Sequence, residues 1–304
     1  MSREKFLHAL FQSVPFLLII VIVLTLVFFP KKKETEKPEK RVVLLWNVDT
    51  FEGGKGSRTS FLRRAAQEAE KERAGVYYLI ASYTPEGAKA AYEAGQRPDL
   101  LSYGVGLSVY AESCLPLSYD FAGGTTDAGC LAYPWCRGSY YLFSMKDDFT
   151  EAGATAISAG GRNLGALAAA YAGIVGEEVE STAAYTGFLS GKYRYLLGTQ
   201  RDECRFAARG ASVYSKRLSD YCDLYQYISV LSAEKREDCE HFLNVLLSDK
   251  TQDSLSEIGM YPIDGAEGGR TVSVFSSDEA LRELGNLARK EENVKNLDKF
   301  LKFI

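Results

Sequence analysis

Two rhythms of apolar residues run along this chain. Residues 42–46 (Val-Val-Leu-Leu-Trp) form a short apolar run bounded by charge, the pattern of a strand buried on both faces. A glycine-rich turn follows, Phe51-Glu52-Gly53-Gly54-Lys55-Gly56-Ser57-Arg58, and then Phe61, Leu62, Ala65, Ala66 and Ala69 recur at helical spacing opposite a charged face. Ser57, Thr59 and Ser60 are the available caps, so a helix is expected to start within 57–60. The loop of this strand, turn and helix lies at the strand's carboxyl end. Open α/β sheets bind ligands there, and the free N–H groups of the helix favour polar or anionic groups. The same turn also reads as a plain connection. Its glycines match neither G-x-G-x-x-G nor the G-K-[ST] ending of a phosphate loop, which argues against a nucleotide.

The alternation continues with a strand expected at 76–82, a helix at 84–94 with Pro85 in its first turn, and a strand at 98–104. Regular βαβαβ order implies an α/β fold with a parallel, right-handed sheet. Residues 153–173 are rich in small side chains and read as helical despite Gly160-Gly161. A helix at 185–189, a strand at 193–197 and a polar turn at 198–202 come next. A strand at 225–231, helices at 234–247 and 251–258, and an amphipathic helical tail at 278–304, broken near 291–293, complete the chain. No internal repeat is present.

With 304 residues, 46% of them hydrophobic and 25% charged, the chain is globular in composition and long enough for one large or two modest domains. A formal charge of -4 and the lack of a basic stripe argue against nucleic acid as a partner. The N-terminus departs from this average. Residues 14–29 carry no charge, and an extension back to Phe6 gives roughly the 20 residues that a membrane helix needs. Residues 1–30 are therefore expected to be a signal anchor. A cleaved signal would also begin with Arg3 and Lys5, but Phe28-Phe29-Pro30-Lys31 offers no small-residue cleavage site. Residues 31–40 form a Lys, Glu, Thr and Pro linker too polar to pack. Its lysines, counted by the positive-inside rule alone, would keep the following domain in the cytoplasm.

Several separated stretches resemble the extracellular solute-binding proteins of ABC importers, a family that often captures sugars and has a type 2 periplasmic-binding fold. Residues 42–46, the turn and helix of 52–62, and Gly95-Gln96-Arg97-Pro98-Asp99-Leu100-Leu101-Ser102 are similar to its opening lobe. Phe188-Leu189-Ser190-Gly191-Lys192 is similar to its second lobe. Phe242-Leu243-Asn244-Val245-Leu246-Leu247-Ser248-Asp249, Gln252 and Ile258-Gly259-Met260-Tyr261-Pro262-Ile263 are similar to its return to the first. The order and spacing cover nearly all of 41–304, although the domain is shorter than most sugar-binding members and carries no lipid-anchoring cysteine after the apolar segment. The resemblance implies lobe one over 41–133, lobe two over 134–230, and a return to lobe one with C-terminal helices over 231–304. Crossings are expected near 132–135 and 225–231. It implies further that the domain lies outside the cell, that the lobes close over a small solute, and that ABC permease subunits receive it, with neither catalysis nor a cofactor.

The residues themselves offer little for catalysis. Only His8 and His241 exist, and the first lies in the anchor, so a Ser-His-Asp triad has at most one candidate base. His241 reads as a structural histidine. Six cysteines show no C-x-x-C, hence no zinc signature; Cys130 and Cys136 are close enough to bridge, and free thiols packed as small apolar groups are the alternative. Trp46, Tyr103 and Trp135 sit at strand ends or the expected crossing, where a flat ring could cover a sugar face; core packing is the competing reading of each. Glu52, Arg58, Gln200, Arg201 and Asp202 are the polar groups expected around the cleft, with solvated loop charge as the alternative. A carbohydrate would use the rings and the acceptors. An oxyanion would use the 53–60 turn with Arg58 or Arg201. The favoured expectation is a sugar-binding, membrane-anchored protein, against a sensor or scaffold of the same fold or an oxyanion binder.

Overall fold

The run at 42–46 lies within β1 (Arg41–Val48), which leads into α1 (Arg58–Glu72). Ser57 caps α1 by accepting the Ser60 N–H at 3.2 Å. The helix buries Phe61, Leu62, Ala65, Ala66 and Ala69; the first two contribute about 2–3 kcal/mol each. β2 (Val76–Tyr83), α2 (Pro85–Glu93), where Thr84 accepts the Gly87 N–H, and β3 (Leu100–Tyr103) follow. β1 pairs in parallel with β2 and with β3, as the alternation predicts. A hairpin of β4 (Thr125–Thr126) and β5 (Gly129–Cys130) precedes β6 (Tyr133–Arg137).

Next come β7 (Tyr140–Ser144), β8 (Thr155–Ala159), α3 (Gly165–Tyr171), β9 (Glu177–Glu180), α4 (Ser181–Leu189), β10 (Tyr195–Thr199), α5 (Gln200–Ala208) and β11 (Tyr214–Arg217). The chain then runs through β12 (Tyr225–Val230), α6 (Arg236–Leu246), α7 (Asp249–Asp253), a 3-10 turn Ser254–Ile258, α8 (Asp278–Ala288) and α9 (Val294–Leu301). The computed structural model describes residues 14–15, 18–25, 40–263, 270–290 and 294–301.

Two five-stranded sheets result, in the orders β2-β1-β3-β12-β6 and β11-β7-β10-β8-β9. The first defines lobe one and the second lobe two. β12 runs antiparallel to β3 and β6, and β7 runs antiparallel to β10 and β11. One buried apolar cluster runs from Val43, Leu45 and Leu62 in lobe one through Trp135, Cys136 and Tyr140 to Ile157 and Leu167 in lobe two.

Four expectations need correction. Residues 153–173 are not one helix. Every position of Thr155-Ala156-Ile157-Ser158 is buried, so small residues form an interior strand, and Gly161 then turns the chain at φ +58° before α3 begins. The polar turn at 198–202 is instead the end of β10 and the start of α5, because Thr199 and Asp202 form a reciprocal capping box. Residues 251–258 split between α7 and the 3-10 turn. The crossings also move. Residues 133–137 and 225–230 are strands of the first sheet, so the chain leaves lobe one at Gly138-Ser139 and returns over 218–224. The lobe boundaries expected at 133/134 and 230/231 shift accordingly, since β6 and β12 take their hydrogen bonds within lobe one.

The C-terminal helices sit on lobe two, where Leu281, Leu284 and Leu297 join the cluster around Leu167. The break expected at 291–293 lies outside the described residues, as do residues 31–39 of the linker and residues 1–13, 16–17 and 26–30 of the anchor. Residues 14–15 and 18–25 are helical, and among the described residues no helix is long and apolar enough to cross a membrane. All six cysteines are free.

Candidate functional site

The βα loops of the two lobes face each other at the carboxyl ends of β1, β3, β8 and β10. From lobe one, residues 49–57 reach across. From lobe two come the Gly160-Gly161-Arg162 turn and the first turn of α5. The Arg162 N–H donates to the Thr50 carbonyl at 2.9 Å, and Glu52 forms an ion pair with Arg201. This approach needs bare backbone at Gly161, where an added Cβ would lie 3.1 Å from the Thr50 oxygen. Glu52 and Arg201 thus stand on opposite walls of the cleft, and each satisfies the other.

Beside this contact lies a cavity of about 330 Å3, lined by Pro85, Glu86 and Lys89 of α2, Leu107 and Ser108 after β3, and Arg162 and Asp278. Its size falls in the range of small-molecule sites, roughly 300–1,000 Å3. Sequence reasoning missed every one of these residues. Thr84-Pro85 at a strand's carboxyl end was the available signal, because it places the start of α2 beside the cleft by the same βα logic that found Glu52.

The remaining residues expected at the cleft lie elsewhere. Trp46 is 1% exposed and tilts against Tyr83 with ring centroids 4.7 Å apart. Trp135 is wholly buried, stacks on Phe61 at 5.6 Å, and donates its Nε1–H to Ser102 Oγ at 3.0 Å. Tyr103 is equally buried, with its hydroxyl 2.9 Å from Ser229 Oγ. All three rings belong to buried apolar clusters, so none offers a face to a solute, and the carbohydrate platforms expected from sequence are core residues.

Arg58 is also buried. It pairs with Asp49 at 2.8 Å, donates to Gln226 Oε1 at 3.3 Å and to the Phe51 carbonyl, and so fixes the loop that carries Glu52. Around it Asn47, Thr59, Ser102 and Gln226 form a closed hydrogen-bond network. Gln226 Nε2 reaches Ser102 Oγ at 3.0 Å and the Val48 carbonyl at 3.1 Å. Gln200 accepts the Ser139 N–H at 3.0 Å across the first crossing. Asp202 is absorbed by the capping box and by Arg205 at 3.3 Å; burial raises its pKa against the pull of these partners.

His241, on α6, meets the Ala69 carbonyl at 3.2 Å, as its structural reading predicts. Among the described residues no group of three or more His, Cys, Asp and Glu side chains is placed to hold a metal ion. Cys204 lies beside Gly259, and burial pushes its thiol pKa up, away from nucleophilic use.

No protein-family profile matches the sequence, and no curated protein is similar to it at the level of sequence. Solved structures are similar in fold. The maltose-maltodextrin binding protein of Alicyclobacillus acidocaldarius superposes with a TM-score of 0.55 at 10% identity, over 86% of this chain and 100% of that one. The GacH receptor of Streptomyces glaucescens, solved with acarbose, gives 0.56 at 13% over 86% and 99%. A Trichodesmium protein solved with iron and citrate gives 0.53 at 13% over 85% and 99%. The chain has the type 2 periplasmic-binding-protein fold. Its two sheets, its paired crossings and the cleft between facing βα loops are the features of that fold which position Glu52, Arg162 and Arg201.

Proposed function

We propose that this protein captures a small polar solute in the cleft between its lobes and presents it to an ABC permease. The observation that carries the reading is the meeting of βα loops from both lobes, Arg162 on Thr50 and Glu52 on Arg201, beside a cavity of solute size. Carbohydrate is the favoured class. The cavity wall mixes donors and acceptors in Glu86, Lys89, Ser108 and Arg162, as hydroxyls require, and two of the structural neighbours are a maltose-maltodextrin binder and an acarbose-bound receptor. No catalytic step enters this account. The apolar N-terminal segment would anchor the chain in the cell membrane with residues after about 31 outside, where protease added to intact cells would remove the domain; survival until lysis would refute that orientation.

A second reading, a sensor or scaffold without transport, is favoured by one feature. The buried polar groups beneath the 49–57 loop, Asn47, Arg58, Ser102 and Gln226, bond to one another and to the backbone and so offer nothing to a solute. Calorimetry of the full-length protein against panels of sugars, polyols and oxyanions separates the two. Saturable binding that weakens with Arg162→Gln supports capture; a flat response across all panels refutes it.

A further inference from the structure

The pairing of Arg162 with Asp278 is a feature that solute capture alone leaves unexplained. Arg162 follows the glycine turn after β8 and Asp278 opens α8, yet they meet at 2.5 Å. Both line the 330 Å3 cleft cavity, and both line an adjoining cavity of about 230 Å3 between α3 and α8. The ion pair therefore borders both spaces. Asp278 is 69% exposed, and an exposed pair of this kind contributes little to stability, so its carboxylate can turn to water at small cost.

Arg162 is held differently. Its Nη1 also donates to the Gly106 carbonyl at 2.8 Å. Gly106 has φ +85°, and an added Cβ there would stand 2.3 Å from that nitrogen. The guanidinium would keep its place when Asp278 leaves, presenting a fork whose geometry suits a carboxylate. A second group points the same way. Asn163 lines the smaller cavity, and its Oδ1 is buried with no hydrogen-bond partner among the described residues. A buried acceptor in this state lacks a donor such as a hydroxyl.

We propose that Asp278 holds the place of a solute carboxylate, and that the solute is a carboxylated polyol such as a sugar acid, its carboxylate on Arg162 and a hydroxyl on Asn163. The inference rests on capture in the cleft and names the solute class for that site. When Asp278 swings out, the two cavities join and the solute bridges them. Binding is an exchange of one carboxylate for another on the same guanidinium, with no covalent change.

The test uses D-glucuronate and D-glucose, which share a ring and differ in the carboxylate, titrated into full-length protein by calorimetry. Glucuronate is expected to bind at least about tenfold more tightly than glucose, the ratio that about 1.4 kcal/mol provides. Arg162→Gln should erase that preference. Asp278→Asn keeps the shape and removes the competing charge, so it should tighten glucuronate severalfold and widen its preference over glucose, which no merely structural role of Asp278 would do. Equal affinity for the two sugars, or weaker glucuronate binding in Asp278→Asn, overturns the proposal while capture of a neutral sugar stands. Failure of both sugars to bind either the wild type or Asp278→Asn overturns it as well, and capture of another solute is then decided by the wider panels.

Discussion

Arg58→Met probes the framework under the cleft. Arg58 is only 3% exposed, and its guanidinium bonds Asp49 at 2.8 Å and Gln226 Oε1 at 3.3 Å and lies 4.1 Å from the centre of the Phe51 ring. Methionine retains the packing of the stem and removes every donor. Gln226 Oε1 is then a buried, unpaired acceptor, which costs about 1–3 kcal/mol. Asp49 is 42% exposed and can turn to water, so its lost partner adds less than about 1 kcal/mol. The expected total is near 3 kcal/mol, read as a lower midpoint in urea unfolding with an unchanged slope. Adding Gln226→Leu removes the orphaned acceptor, so the double variant should cost about 1–2 kcal/mol less than the two single changes summed. A loss under about 1 kcal/mol for Arg58→Met, or simple additivity, would refute the claim that this network positions the loop of Glu52.

Two further outcomes follow from the same contacts. Asp223 lies on the return crossing, accepts from the Tyr140 hydroxyl at 2.8 Å and the Leu164 N–H at 3.1 Å, and is pushed by burial up to about 6. The unfolded chain releases this proton near pH 4 and the folded one near pH 6, so the group's contribution falls as pH rises across that window, by on the order of 2–3 kcal/mol. Unfolding midpoints of wild type minus Asp223→Asn should decline between pH 4 and 6 and level off above; a flat difference refutes it. Thr199→Ala removes the cap of α5 that accepts the Arg201 N–H at 3.3 Å, with an expected loss of about 1 kcal/mol and a melting temperature lower by about 2–4 °C. A melting temperature within about half a degree of wild type would refute that reading.

The strands and helices of lobe one were legible because their signals are local. β1 is a charge-bounded apolar run, α1 has Ser57 at its cap and an alanine stripe, and α2 has Thr84-Pro85 at its start. β8 was not legible. Thr-Ala-Ile-Ser-Ala has one β-branched aliphatic residue, and only burial between β9 and β10 makes it a strand. The site divides along the same line. Glu52 and Arg201 lie in loops at strand ends, a placement that can be read from sequence order alone. Trp46, Tyr103 and Trp135 also stand near strand ends, but whether such a ring faces solvent or the adjoining layer is decided by neighbours distant in sequence, such as Phe61 for Trp135. Arg162 and Asp278 meet only through the fold, since α8 returns from the far end of the chain to pack on α3.

Lobe closure is the claim on which the account depends most directly. Fluorophores carried by non-natural residues at Glu93 on α2 and Arg209 after α5 would report the distance between the lobes in the full-length protein, independently of its six cysteines. Titration with sugars, sugar acids and oxyanions should convert a broad distance distribution to a single shorter distance for the solute that binds, and Arg162→Gln should weaken the response. A distance that stays the same at saturating solute, with binding confirmed by calorimetry, would contradict capture by closure.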